Sequence, residues 1–93
     1  MEPREYVWTD AGKARADAHG VGLTEVVDAL HAPKGLYFER LVGDLLLIVM
    51  GMAETGRVVA VICDRIGGTQ IYKIISALPL IATDLDQWRE HVI

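Results

Sequence analysis

The spacing of hydrophobic positions changes near residue 36. Before that point it is helical: Leu23, Val26, Val27 and Leu30 fall at i, i+3, i+4 and i+7, which predicts an amphipathic helix over Leu23–His31, closed by Pro33 and Gly35. An earlier helix over about Ala11–His19 has a thinner apolar face of Ala11, Ala14 and Ala18, with Thr9 or Asp10 as N-cap and Gly20 in the residue position that follows a helix. Gly20-Val21-Gly22 is short enough to make the pair an αα-hairpin. Ahead of both, Tyr6-Val7-Trp8 reads as an edge strand or an ordered lead-in.

From Leu36 onward the runs are rich in Leu, Ile, Val and Tyr: Leu36–Val42, Asp44–Ala53, Arg57–Asp64 and Thr69–Ser76. Gly43, Glu54-Thr55-Gly56 and Gly67-Gly68 separate them, and links this short join antiparallel neighbours. Both alternating sets of Arg57–Asp64 are apolar, so that strand is expected at the centre of the sheet, covered on both faces. Leu78-Pro79 breaks the sheet. Thr83 with Asp86 at capping-box spacing, then Leu85, Trp88 and Val92, predicts a last helix from about Asp84 to the end. The expectation is one α+β domain over residues 1–93, an antiparallel sheet of about four strands with two N-terminal helices and one C-terminal helix.

Composition narrows the setting. At 93 residues and 52% hydrophobic, the chain has enough apolar material for one core. The value is high for so small a monomer, which points to apolar surface covered by a partner or by a second copy in a homodimer. Cys63 is the only cysteine, so no internal disulfide can form. The start, Met1-Glu2-Pro3-Arg4-Glu5, lacks the apolar stretch of a signal peptide, and the longest apolar run is far short of the ~20 residues of a membrane helix. A cytoplasmic protein with no membrane partner is expected.

Several chemistries drop out. His19, His31 and His91 lie far apart with no paired ligands at metal spacing, so neither a metal nor another cofactor is expected. Gly20-Val21-Gly22 begins like a dinucleotide fingerprint, but Glu25 stands where the third glycine belongs. Net charge is −4, against a general nucleic-acid binder. The cations are nevertheless segregated. Arg57, Arg65 and Lys73 face the single anion Asp64 within residues 57–73, whereas the last helix is acidic. Lys73 interrupts an apolar face shared with Ile71 and Ile75, either as an edge-strand lysine that guards against aggregation or as a phosphate contact. Arg15 and His19, four apart, share one helix face; Lys13 points elsewhere.

Trp8–Lys13, His19-Gly20-Val21, the Leu23–Leu30 helix, Glu39-Arg40, Gly56-Arg57-Val58, Arg65 and Ile74-Ile75-Ser76-Ala77 together resemble the BrnT-type toxins of the RelE-like toxin–antitoxin superfamily. The resemblance covers most of the chain in short pieces, of which the His-Gly-Val turn and the Ile-Ile-Ser-Ala strand end are the most specific. It implies a compact sheet with helices, a metal-independent endoribonuclease acting on free or ribosome-bound mRNA, and neutralisation by a cognate antitoxin, usually of ribbon-helix-helix type. Lys13, His19, Arg65 and Lys73 fall where the family is basic, the last more often Arg. The sequence departs from the family at Leu78, where an arginine is expected, and at Asp84, Asp86 and Trp88 in the last helix.

Cutting RNA without a metal requires a base for the 2′-hydroxyl, cations for the phosphate and an acid for the leaving oxygen. The corresponding expectation is His19 as acid or base, Arg65 and Lys73 on the phosphate, and Lys13, Arg57 and Arg40 as further substrate contacts. The alternative is a non-catalytic protein-binding module of the same fold, acting through dimer or partner contacts.

Overall fold

A computed structural model describes residues 4–43 and 45–92; Asp44, expected to open a strand, and Ile93, expected to end the last helix, lie outside them, as do Met1-Glu2-Pro3. The elements follow the order β1 (Glu5–Trp8), α1 (Asp10–Ala18), α2 (Leu23–Leu30), β2 (Tyr37–Val42), β3 (Leu46–Met52), β4 (Val58–Arg65), β5 (Ile71–Pro79) and α3 (Ala82–His91).

The fold is α+β, with one correction to the expected sheet. It has five strands in the order β1-β5-β4-β3-β2 and is mixed, not antiparallel throughout. β2 to β5 form the predicted antiparallel meander, except that β5 runs through the expected break, Leu78 and Pro79 standing opposite Ala60 and Val59. β1 adds parallel to β5, with Glu5 beside Ile71 and Trp8 beside Ile74. A parallel neighbour needs a long crossover, which α1, α2 and the meander supply. β4 is the middle strand and is buried on both faces as its sequence requires.

α1 and α2 cover the first face. Ala16, Val26, Ala29 and Leu30 meet Leu47, Val49, Val59, Val61, Cys63 and Ile74 in the main core. Two glycines set how closely the helices approach. A Cβ on Gly12 would run into the carbonyl of Ile74, and one on Gly51 into the carbonyl of Ala29. α3 covers only part of the second face, where Trp88 packs with Val58, Ala60 and Leu80, and the Trp88 indole N–H donates to Met50 O at 3.1 Å.

Local chemistry explains the helix ends. Thr9 caps α1, its hydroxyl accepting from Gly12 N at 2.9 Å and donating to Ile74 O at 2.8 Å. Glu25 folds back on α2 and accepts from Gly22 N at 3.1 Å. At α3 the expected Thr83 cap is not used: the helix opens at Ala82, Ile81 stands at the cap, and Thr83 lies inside the first turn. No helix among the described residues is long and apolar enough to cross a membrane.

Candidate functional site

β1 is shorter than β5, so beyond Trp8 the β5 edge would present bare carbonyls. α1 lies along this stretch and satisfies them. Thr9 donates to Ile74 O, Arg15 Nη1 donates to Ile75 O at 3.0 Å, and His19 Nδ1 lies 3.1 Å from Ala77 O. Arg15 and His19 do share a face, as their spacing predicts, and that face is turned to a strand backbone.

The proposed phosphate pair is divided by the pleat. Lys73 stands opposite Asp64 in the β4–β5 ladder, and Arg65, one residue on, stands opposite Tyr72. Tyr72 belongs to the first-face core, so Arg65 lies on that face and Lys73 on the other. Arg65 is further tied to the hairpin through Nε, which donates to Thr69 O at 2.8 Å. Lys73 sits on β5, between β1 and β4, so the edge-strand role considered for it does not apply. A bulge between Ile62 and Cys63 also leaves Ile75 outside the simple alternation that grouped it with Lys73.

Arg57 enters β4 at the far end from Arg65, roughly 26 Å along the strand. It holds Glu25 through Nη2 at 2.5 Å and Nε at 3.0 Å, and donates to Gly20 O at 2.7 Å. This guanidinium keeps the Glu25 carboxyl below the usual carboxylate range. Lys13 is exposed on α1. His19, Arg65 and Lys73 thus occupy a strand edge, the first face and the second face, and do not form one pocket.

Of the expected substrate contacts, Arg40 lies in a concavity. The second face carries a cleft of about 610 Å³ between the sheet and α3. One row of its floor runs across three strands, Arg40 on β2 opposite Ile48 on β3, which is opposite Ile62 on β4. Met50, Ala60 and Leu78 complete an apolar base, and Asp84, Trp88 and His91 of α3 form the wall. The polar groups are few and peripheral, the make-up of a site that takes apolar groups and orients them with a small number of charges.

A second cluster has no signal in the sequence. Arg4, beside one edge strand, pairs with Glu39 on the strand at the other edge, and its guanidinium lies 5.4 Å from the Tyr72 ring centre. Tyr37 donates to the same carboxylate at 2.8 Å. Four strand intervals of ~4.8 Å would separate the two edges if the sheet were flat, so it must curl around its first face at this end. Arg4 holds the Glu39 carboxyl low, and burial with that carboxylate pushes the Tyr37 hydroxyl well up. The groups satisfy one another, and the cluster acts as a clasp.

Among the described residues no group of His, Cys, Asp and Glu is arranged to hold a metal ion. No protein-family model matches the chain, and no curated protein matches it.

Proposed function

We propose that the chain is a protein-binding domain of RelE-like, BrnT-type architecture, whose open sheet face takes a segment of a partner polypeptide, the antitoxin of a toxin–antitoxin pair. The observation that carries this reading is the apolar floor of the second-face cleft, bordered by Arg40 and His91. An RNA surface needs free cations around the phosphate. Here Arg4 and Arg57 are paired with carboxylates, and Arg65 and Lys73 lie on opposite faces of the sheet, so the cations are not gathered around one phosphate. Ile48, Met50 and Ile62 instead suit a strip of apolar side chains, with Arg40, Asp84 and His91 as the charged and polar groups at its border.

The test asks first whether a neighbouring reading frame encodes a small protein, which is then co-expressed with the wild type and with Ile62→Glu. Ile62 is partly exposed on the cleft floor, so a glutamate there stays solvated in the free chain and is buried by a partner. The wild type forms a complex and Ile62→Glu weakens it by roughly a hundredfold. No complex with the wild type, or an undiminished one with the variant, overturns the reading.

One observation favours a second reading, a metal-independent endoribonuclease: the cleft places a guanidinium, Arg40, and an imidazole, His91, on its borders. Its requirements are growth arrest when the chain is expressed alone, and relief of that arrest by Arg40→Ala and His91→Ala. Of the residues singled out on sequence, His19, Arg65 and Lys73 would each have to act apart from the others.

A further inference from the structure

β2 is an outer strand of the sheet, and among the described residues no strand pairs with its other side. Met52 N donates to Leu36 O at 3.0 Å, which fixes the hydrogen-bonding phase of the β2–β3 ladder. With the register of Phe38 opposite Met50 and Arg40 opposite Ile48, the even-numbered residues of β2 bond to β3. The N–H and C=O groups of Tyr37, Glu39 and Leu41 therefore point outward. Tyr37–Val42 contains no proline and no lysine, and its two charged residues, Glu39 and Arg40, are of opposite sign. Beside it, Leu41, Val42 and Leu45 are exposed at 55%, 44% and 51%, an apolar group at the end of the hairpin.

We infer that β2 pairs antiparallel with β2 of a second copy of this chain, making one continuous ten-stranded sheet across a two-fold axis at Glu39. The charge pattern selects both partner and register. Centred on Glu39, the pairing sets Tyr37 across from Leu41 of the second copy on the first face, and Phe38 across from Arg40 on the second. A guanidinium meets an aromatic ring twice, once on each side of the axis. Each Glu39 reaches the axis already neutralised by its own Arg4. Shifting the centre to Arg40 keeps the same overlap but sets two Arg40 side chains against each other. The strand thus complements itself in one register. Because the axis is normal to the sheet, both open faces lie on the same side and the two clefts face the same partner. The main-chain bonds of this seam lie outside the cleft, although Phe38 and Arg40 also line it.

Light scattering coupled to gel filtration tests it across the micromolar to millimolar range, on the full chain and on Leu41→Pro. Proline at 41 removes an outward N–H and leaves the bonds to β3 intact. The wild type runs as a dimer and Leu41→Pro as a folded monomer. Glu39→Cys gives up the Arg4–Glu39 pair but supplies a second reading as a bond gained: the two cysteines meet at the axis and cross-link under mild oxidation, whereas Lys34→Cys does not. A wild type that stays monomeric at every concentration, a dimer untouched by Leu41→Pro, or a failure of Glu39→Cys to cross-link overturns the inference. Pairing of β2 with a strand of another protein alone would appear as the first of these results.

Discussion

Arg57 grips Glu25 with two nitrogens, at 2.5 and 3.0 Å, and so ties the entrance of the central strand to the first turn of α2. The carboxylate also accepts from Gly22 N and from the Thr55 hydroxyl, which makes it the hub of this corner. Its pKa in the folded state lies below the unfolded value, the Arg57 bonds being the main cause. The stability it contributes is therefore present above about pH 4.3, the unfolded carboxylate range, and is lost as pH falls through the folded value. Thermal unfolding followed from neutral to acid pH should show this loss. Glu25→Gln should flatten the acid limb and, at neutral pH, lower stability by about 1 kcal/mol, the size of an exposed pair plus a helix-end bond.

Gly12 sets the fit of α1 on β5. A methyl group there meets the Ile74 carbonyl, a backbone atom that cannot swing away. Gly12→Ala is expected to cost ~1–3 kcal/mol, as overpacking does. Gly67→Ala is the control: a Cβ at Gly67 has nothing within contact distance. Urea titrations of the two variants read the difference directly.

Much of this architecture was legible from the chain. The helix over Leu23–Leu30, the capping Thr9, the glycine after α1 and the four meander strands all rest on local signals, a 3.6-residue period or a turn residue between apolar runs. β1 was legible as a strand but not as the parallel neighbour of β5. That pairing joins Trp8 to Ile74, and no short-range pattern states which edge a lead-in strand will join. The cleft was less legible still. It depends on α3 covering only part of a face that the alternation in β3 and β4 marks simply as apolar. The candidate cations were read from their nearness in sequence, and the pleat then sends Arg65 and Lys73 to opposite faces.

Cys63 lies in the main core, fully buried, and burial pushes its thiol up to about 12. The thiolate is the reactive species, so iodoacetamide at neutral pH should leave the folded protein unmodified. Label should enter only at denaturant concentrations that unfold the chain, with mass spectrometry as the readout. Rapid modification of the native protein would contradict the packing of β4.

His19 is expected to act through the backbone. His19→Ala removes its contact with Ala77 O and should lower stability by about 0.5–1.5 kcal/mol, the net worth of one hydrogen bond, while leaving partner binding unchanged. A calorimetric titration of the neighbour-encoded protein into this variant, set beside its melting curve, separates the two effects.

The central claim, that the second face is where a partner docks, can be read from Trp88, which walls the cleft and is bonded to Met50. In a Trp8→Phe chain it is the sole indole, and its fluorescence can be followed as the neighbour-encoded protein is added. A saturable change in intensity and wavelength, lost in the Trp8→Phe chain that also carries Ile62→Glu, is the predicted result. Complex formation that leaves Trp88 unchanged, or a change that survives Ile62→Glu, would place the partner elsewhere on the molecule and contradict the account.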